Sequence, residues 1–396
     1  MPEILLTNAR VLIDSEFQSA QVLIGADGRI SAVVGLTGQT AGLPAGQAAV
    51  VDLGGAYLAP GFFDLHFHGL EDKTTNGNEL AELASVEIRH GVTSFTPTLC
   101  AAGVKLLKLI EEKTIQAQKL SQTTRCPGFY LEGPFVSLAG AIPPECLMEA
   151  DMGFARELIA TAGKMIRVIM ISPELPGAVE LIELMAGAGI TVALGHTAAT
   201  VEQTQRAIDG GASLATHIYN VYKEMPKSPE PGVWPVGVYD VLTADDRVTC
   251  EVICDGIHVH PVNAKIICRA KGPEKVAIIT DSNVGAGLKP GRYEFPGWPA
   301  VEIRSGDAVR DAEHGWLCGS AITVDEGVRR GPKVMGCTLA QACDMAGRNI
   351  YNVVGLGEEF GKIAPGYWAD FVVMDEQGEV RGAFVGGEMV YKSRKV

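Results

Sequence analysis

Between residues 59 and 359 one pattern repeats, in which a short apolar run rich in β-branched residues precedes a segment with helical apolar spacing. In GAVELIELMAGAG, for example, Val179, Leu181, Ile182 and Met185 have helical apolar spacing. Continuously apolar strands that alternate with helices predict an α/β fold with a parallel sheet covered on both faces. Eight such runs favour a (β/α)8 TIM-like barrel over an open doubly wound sheet. The runs are YLAPGFFDLHFHG, GVTSFTPTL, GFYLEGPF, RVIMISPE, ITVALGHT, LATHIYN, VTCEVICDG and VAIITDS.

The two ends of the chain follow a different pattern. Residues 1–58 and 360–396 alternate strand-like runs with glycine-bearing turns, such as ADG in AQVLIGADGRISAVVG. We expect these two segments to pair into a small β-sandwich domain, and residues 59–359 to form the barrel domain.

Composition limits the partners and the compartment. A net charge of −14 argues against nucleic acid or an anionic membrane surface as a partner. Nine cysteines without a CxxC spacing indicate buried thiols in a reducing compartment. The N-terminus has no basic segment followed by an apolar one, and no run of 18 apolar residues occurs, so we expect a cytoplasmic protein.

Histidines and carboxylates follow the ends of the predicted strands, which is where barrels carry their catalytic groups. His66 and His68 in DLHFHG are two residues apart, so an extended chain would aim both imidazoles to one side. The remaining strand-end residues are Glu132, His196, His217, His258 and Asp281. Such a set, without thiolates, is typical of a catalytic site for Zn²⁺ or a similar divalent ion. Asp281 fits the carboxylate that takes a proton from water and passes it to the leaving group.

The other histidines receive structural interpretations. His90, at a helix-to-strand turn, is expected to act as a cap. His260 precedes Pro261 at the start of a helix, and His314 is expected in a loop.

Seven motifs, in order along nearly the whole chain, resemble the amidohydrolase superfamily and within it the members that deacetylate amino-sugar phosphates. They are PGFFDLHFHG, LEGPF, LGHT, THIYN, DGIHV, ITDS and CGSAITVDEGV. The terminal segments, including GKIAPGYWADFVV, are similar to the small domain of that family.

The resemblance implies roles for individual residues. Glu132, His196 and His217 would hold the principal metal, and His66 and His68, with Glu132 as a bridge and Asp281 beside them, a second ion. His258 would stabilise the oxyanion, and Asp281 would act as general base and then acid. Asn220, Val221 and the backbone of Leu317, Cys318 and Gly319 would contact the sugar. Members of the family are commonly dimers, so the resemblance also implies a homodimer.

Three departures bear on the substrate. Ile142 stands in GAIPPE where the family carries a histidine, and the loop after THIYN offers Lys223 and Lys227 instead of an arginine. EDKTTNG replaces a glycine-rich stretch. A lysine binds phosphate as a point charge, without bidentate geometry.

Three functions therefore stay open. The leading one is removal of the N-acetyl group of an amino-sugar phosphate. The second applies the same chemistry to an N-acyl amino acid or an unphosphorylated amino sugar. The third is a non-catalytic barrel that binds a metal or ligand, against which Asp281 argues, because a pure binder needs no proton shuttle beside its metal.

Overall fold

The computed structural model describes residues 2–35, 48–120, 123–223, 230–295, 298–304 and 308–393. The strands are β1 (Ile4–Ile13), β2 (Glu16–Ile24), β3 (Ile30–Gly35), β4 (Ala49–Asp52), β5 (Tyr57–Pro60), β6 (Phe62–Asp64), β7 (Gly69–Leu70), β8 (Lys73–Thr74), β9 (Val92–Phe95), β10 (Thr98–Leu99), β11 (Phe129–Leu131), β12 (Ile166–Ile171), β13 (Thr191–Leu194), β14 (Ala212–Ala215), β15 (Thr249–Ile253), β16 (Val276–Ile279), β17 (Gly291–Tyr293), β18 (Val301–Ile303), β19 (Val309–Asp311), β20 (Phe371–Met374), β21 (Val380–Val385) and β22 (Glu388–Lys392). The α-helices are α1 (Leu80–Glu87), α2 (Gly103–Gln118), α3 (Met152–Ala162), α4 (Ala178–Gly187), α5 (Val201–Asp209), α6 (Val238–Ala244), α7 (Pro261–Lys271), α8 (Val324–Val334), α9 (Leu339–Met345) and α10 (Arg348–Val353). Short 3-10 turns lie at Ile88–His90, Pro144–Cys146 and Pro273–Lys275.

Eight strand units form the predicted parallel barrel. Strand β6 pairs in parallel with β9, and β10, which continues from β9, begins a parallel sheet that runs in sequence order to β16. The backbone N–H of Asp281, just after β16, donates to the carbonyl of His66, just after β6, at 2.8 Å. This bond joins the last unit to the first, so the (β/α)8 prediction is confirmed.

The continuous apolar character of the strands follows from burial on both faces. Along β12, Val168 and Met170 belong to a cluster inside the barrel, whereas Ile169 and Ile171 pack under the helices. Adjacent residues point to opposite faces of a strand, so both faces must be apolar here. The predicted helix in GAVELIELMAGAG is α4, which buries Leu181, Ile182 and Met185.

Both ends of the chain contribute to one eight-stranded sheet. Its order is β22, β21, β20, β5, β1, β2 and β3, with β4 also paired to β1. The C-terminal strand β20 pairs antiparallel with β5, which ends one residue before barrel strand β6. The terminal segments therefore meet as expected, and the boundaries at residues 58 and 360 stay a prediction.

A three-stranded antiparallel sheet after β16 was not predicted from the sequence. It consists of β17, β18 and β19 and has its own apolar cluster around Val301, Ile303 and Val309. Its position directly after the last barrel strand places it beside the ends of the strands, where it contributes to the cavity described below. In the described part of the chain, no helix has the length and hydropathy needed to cross a lipid bilayer.

Candidate active site and metal centre

The predicted polar residues lie in the turns that leave the barrel strands. Glu132 directly follows β11, and His196, His217 and Asp281 each lie two residues beyond the end of a strand. The last three have positive φ angles of 46°, 24° and 44°. Positive φ is unfavourable for a residue with a side chain and, where it occurs, clusters at functional sites. The backbone therefore tolerates strain where it turns these side chains inward.

The first histidine pair lies beyond its strand instead of within it. Strand β6 ends at Asp64, and the following segment is held by backbone bonds to the neighbouring loops, including His68 N–H to the Ser282 carbonyl at 2.7 Å. Both imidazoles nevertheless point to the same place, as the spacing predicted.

Glu132 is at the centre of the cluster, and its two carboxylate oxygens face different groups. Oε1 lies 3.1 Å from His217 Nε2, 3.3 Å from His196 Nε2 and 3.5 Å from His66 Nε2. Oε2 lies 3.1 Å from His68 Nε2, which is also 3.3 Å from Asp281 Oδ1. Three sets of ligand atoms are close enough to hold a metal: His66, Glu132 and His217; His66, His68 and Asp281; and His68, Cys100 and Glu132.

Hydrogen bonds on the far side of three imidazoles favour metal binding. The Nδ1–H groups of His66, His196 and His217 donate to Glu251 at 3.2 Å, to the Leu138 carbonyl at 2.7 Å and to the Asn220 carbonyl at 3.2 Å. Because each Nδ1 is held by an acceptor on its far side, Nε2 is the atom that faces the cluster and can ligate a metal, as in protein metal sites. Among the described residues, no group forms a hydrogen bond with the buried His66 Nε2. A divalent cation would give that nitrogen a partner, so the imidazoles of this cluster fit a bound metal ion.

The charges of the cluster also favour a cation. Burial alone would raise the pKa of Glu132, but the charge of His68 and hydrogen bonds from His196 and His217 hold the pKa well below its usual value. Burial works against a charged His66, yet Glu132 and Glu251 raise its pKa to about 10. Carboxylates placed so that they stabilise positive charge on the imidazoles also favour a metal cation that replaces the protons.

Asp281 and His258 face the same space from the last two barrel loops. Burial would raise the pKa of Asp281, but the hydrogen bond with His68 and the charges of the imidazoles lower it overall, so the group is a carboxylate. His258 Nδ1 donates to Asp255 Oδ2 at 2.6 Å. Although burial lowers the pKa of His258, the Asp255 carboxylate raises it by more. The site thus pairs a proton acceptor with a proton-bearing donor.

A cavity of about 460 Å³ opens above the cluster. Most predicted residues line it, namely His68, Glu132, His196, His217, Asn220, Val221, His258, Asp281, Leu317, Cys318 and Gly319. His66 lies beneath its floor, fully buried. Lys223 is exposed and is not among the lining residues, and Lys227 lies outside the described residues. Ile142, at the place of the family's histidine, contributes an apolar wall.

Several residues of the site escaped the sequence analysis. Glu251 supports His66, and Asp255 supports His258. A charged residue in the apolar run VTCEVICDG and the DGIH spacing were the available signals. The Cys100 thiol, whose pKa burial raises to about 11, donates to Glu132 Oε2 at 3.7 Å and lies 3.8 Å from His68 Nδ1. The antiparallel sheet after β16 adds Val301 and Asp311 to the lining.

The structural histidines behave largely as expected. His260 caps α7 by accepting from the Val262 N–H, and His314 bonds to Asp311 in an exposed loop. His90 donates to Asp325 at the start of α8 instead of capping its own turn.

Comparison with known proteins places the chain in a family. Residues 57–390 match the Amidohydrolase family. The chain belongs to this family. The match covers the whole barrel and strands β20 and β21, so it includes every strand-end residue of the cluster.

Relatives within the family are amino-sugar phosphate deacetylases. The chain is 32% identical over 338 residues to an N-acetylgalactosamine-6-phosphate deacetylase of Escherichia coli O157:H7, covering 84% of this chain and 87% of that protein. It is 31% identical over 353 residues to an N-acetylglucosamine-6-phosphate deacetylase of Danio rerio, with 86% of each chain covered. An N-acetyl-D-glucosamine-6-phosphate deacetylase of Mycobacterium smegmatis, solved in complex with N-acetyl-D-glucosamine-6-phosphate, superposes with a TM-score of 0.85 at 30% identity, covering 99% of this chain and 100% of that one.

Proposed function

We propose that this amidohydrolase is a metal-dependent deacetylase that removes the N-acetyl group of an amino-sugar phosphate. The observation that carries the proposal is the arrangement around Glu132, where four imidazoles converge at the floor of a cavity and Asp281 and His258 line it. The relatives that act on acetylated sugar phosphates support the choice of substrate.

The metal is proposed to be Zn²⁺, with two ions per chain. Glu132, His196 and His217 would hold one ion, and His66, His68 and Asp281 the other, with Glu132 between them. Imidazole and carboxylate ligands suit zinc. When bound, the cation acts as a Lewis acid that makes water a nucleophile at neutral pH.

The chain's own residues would then move the protons. The Asp281 carboxylate accepts a proton from the attacking water as the new C–O bond forms. His258, held by Asp255, donates a hydrogen bond to the acyl oxygen, where negative charge develops. When the C–N bond breaks, Asp281 returns the proton to the departing nitrogen, and the products are acetate and the free amine.

Replacing Asp281 tests the assignment of the base. We expect Asp281→Asn to keep the ion held by Glu132, His196 and His217 but to lower turnover by between about 100-fold and 10,000-fold, because the amide cannot accept the proton. Metal analysis and steady-state kinetics measure the two quantities, with the exposed Asp246→Asn as control. Undiminished hydrolysis by Asp281→Asn would show that another group is the base.

A second candidate keeps this chemistry on an unphosphorylated amino sugar or an N-acyl amino acid. It is favoured by Ile142 and by the absence of lysine and arginine from the described residues that line the cavity. A panel separates the two candidates: zinc-loaded protein is assayed with N-acetylglucosamine-6-phosphate, N-acetylgalactosamine-6-phosphate, their unphosphorylated forms and N-acyl-D- and L-amino acids. The leading proposal requires the highest kcat/KM on a phosphorylated sugar. Activity confined to the other compounds supports the second candidate.

We further propose that the protein works in the cytoplasm as a homodimer. All nine cysteines are free thiols, which suits a reducing compartment. Sedimentation equilibrium at micromolar concentration should give twice the chain mass of 41.9 kDa, and a monomeric mass would contradict the dimer.

A further inference from the structure

Glu251 is a carboxylate in the interior of the barrel that the proposed chemistry does not use. It lies on β15, fully buried, two residues before Ile253, which packs inside the barrel. Residues two apart share a face, so Glu251 also points inward. Burying a charge is unfavourable unless it is compensated, and an apolar residue would avoid that cost. The contacts of Glu251 should therefore explain its presence.

Those contacts join the two halves of the metal cluster. Oε2 accepts from His66 Nδ1 at 3.2 Å and from the backbone N–H of His217 at 3.1 Å. The Tyr130 ring stacks on His66, with 4.2 Å between centroids, so His66 is fixed both at its edge and over its face. Neither Glu251 Oε1 nor His66 Nε2 has a hydrogen-bond partner among the described residues.

The two proposed ions depend on Glu251 to different degrees. His196 and His217 are oriented through their Nδ1 atoms by the carbonyls of Leu138 and Asn220, and these bonds do not involve Glu251. His66, in contrast, has Glu251 as its Nδ1 acceptor. A carboxylate that accepts from a ligating imidazole fixes its tautomer, makes it more basic and raises metal affinity.

We propose that Glu251 is a positioning residue for the second ion, the one held by His66, His68 and Asp281. It keeps the proton of His66 on Nδ1, so that the Nε2 lone pair faces the ion, and its negative charge balances the additional cation. The inference rests on the proposed two-ion site.

The test compares metal binding by wild-type protein and Glu251→Gln. Glutamine keeps the size and an acceptor oxygen but removes the charge. Calorimetric titration of metal-free protein with Zn²⁺ should give two ions in the wild type. In Glu251→Gln the first ion should bind as in the wild type, and the Kd of the second should rise by about 10-fold to 100-fold. Glu87→Gln puts an amide in place of another buried acid, but there burial raises the pKa of the carboxyl well above its usual value, so no charge is lost. It serves as control for the substitution itself and should bind both ions normally.

A double-mutant cycle and a measurement without variants strengthen the test. If Glu251 acts through His66, Glu251→Gln should not weaken the second ion further in a His66→Asn background. The histidine nitrogen NMR spectrum of the wild-type holoprotein should show His66 with its proton on Nδ1. A proton on Nε2 would overturn the inference even if Glu251→Gln failed to fold.

The outcomes separate this inference from the proposed function. Equal affinities in wild type and Glu251→Gln, parallel weakening of both ions, or only one ion in the wild type would each overturn the role of Glu251, and deacetylation could still be observed. Two ions with the expected loss in Glu251→Gln but no amide hydrolysis would contradict the function and leave the positioning role intact.

Discussion

At the scale of single residues, the charge of His258 depends on one neighbour. Asp255 accepts from His258 Nδ1 at 2.6 Å and also from the His258 backbone N–H at 2.9 Å. Burial lowers the pKa of His258, but the Asp255 carboxylate raises it by more. His258 therefore keeps its proton, and stays a hydrogen-bond donor, to higher pH than an ordinary histidine. Asp255→Asn should therefore move the alkaline limb of kcat to lower pH and reduce turnover above neutral pH by about tenfold for each unit that the limb moves.

The pH profile of kcat measures this effect. Asp246→Asn, an exposed acid, should leave the profile unchanged. A uniform loss of kcat at every pH, with both limbs in place, would mean that Asp255 shapes the loop without setting the charge of His258.

At the scale of elements, Asp325 ties the start of α8 to the turn before β9. It accepts from His90 Nδ1 at 3.0 Å, from Thr323 Oγ1 at 2.5 Å and from Arg329 Nη1 at 2.5 Å. Burial would raise the pKa of Asp325, but His90 and Arg329 hold it well below its usual value. A carboxylate whose pKa is lowered on folding contributes stability above its unfolded pKa and loses it as the pH falls through the folded pKa.

Asp325→Asn should accordingly destabilise the fold by about 2 kcal/mol at neutral pH, since the buried amide cannot replace the charge-assisted hydrogen bonds that the carboxylate accepts from His90 and Arg329. The difference in free energy of unfolding between this variant and the wild type should shrink as the pH falls below the range in which an ordinary aspartate titrates. Urea unfolding at several pH values measures it, with Asp246→Asn expected within about 0.5 kcal/mol of wild type. A penalty that is the same at all pH values would indicate a packing defect instead.

The elements of the barrel could be predicted because burial on both faces leaves a strong sequence signal. The runs RVIMI and TVAL are apolar at almost every position, and β12 and β13 occupy them. Strands β17 to β19 have three residues each and little sequence hydrophobicity, and they are stabilised by packing on the loops of the barrel, which no local pattern reveals. The small sheet and its contribution to the cavity were missed for this reason.

The structure brings together the strand-end residues that the sequence pointed to, and their roles stay a prediction. Strand-end histidines and carboxylates are recognisable because the barrel brings all strand ends to one rim. The residues that support these groups, Glu251 and Asp255, could not be recognised in the sequence. Glu251, for example, is 185 residues from His66, and only the closed barrel brings the two side chains together. The phosphate contacts assigned to Lys223 and Lys227 stay a prediction.

At the scale of the whole molecule, Arg125 links the barrel to the terminal sheet. Its Nε and Nη2 atoms donate to Asp370 at 2.7 and 3.1 Å, and its guanidinium lies 4.7 Å from the centroid of the Trp368 ring. Without Arg125, the Asp370 carboxylate, 6% exposed, would keep the hydrogen bond from the Gly386 backbone N–H at 2.6 Å but lose its cationic partner. Arg125→Met should lower the free energy of unfolding by about 3 kcal/mol.

The matched control is Arg89→Met, which removes a more exposed arginine paired with Glu71 and should change stability by less than about 1 kcal/mol. Both parts of the molecule should still unfold in one transition, because Leu12 and Val372 of the terminal sheet belong to the same core cluster as the barrel strands. Two separated transitions in Arg125→Met would show that the sheet and the barrel are independent.

Hydrolysis of N-acetylglucosamine-6-phosphate by zinc-loaded protein tests the proposed function most directly, with Asp281→Asn protein loaded in the same way for comparison. Free amine and acetate are quantified over time. We expect the wild type to release both in equal amounts and Asp281→Asn to release them at least about 100-fold more slowly. Failure of the metal-replete wild type to release amine from this or any other N-acetylated sugar, or equal rates for the two proteins, would contradict the proposed function.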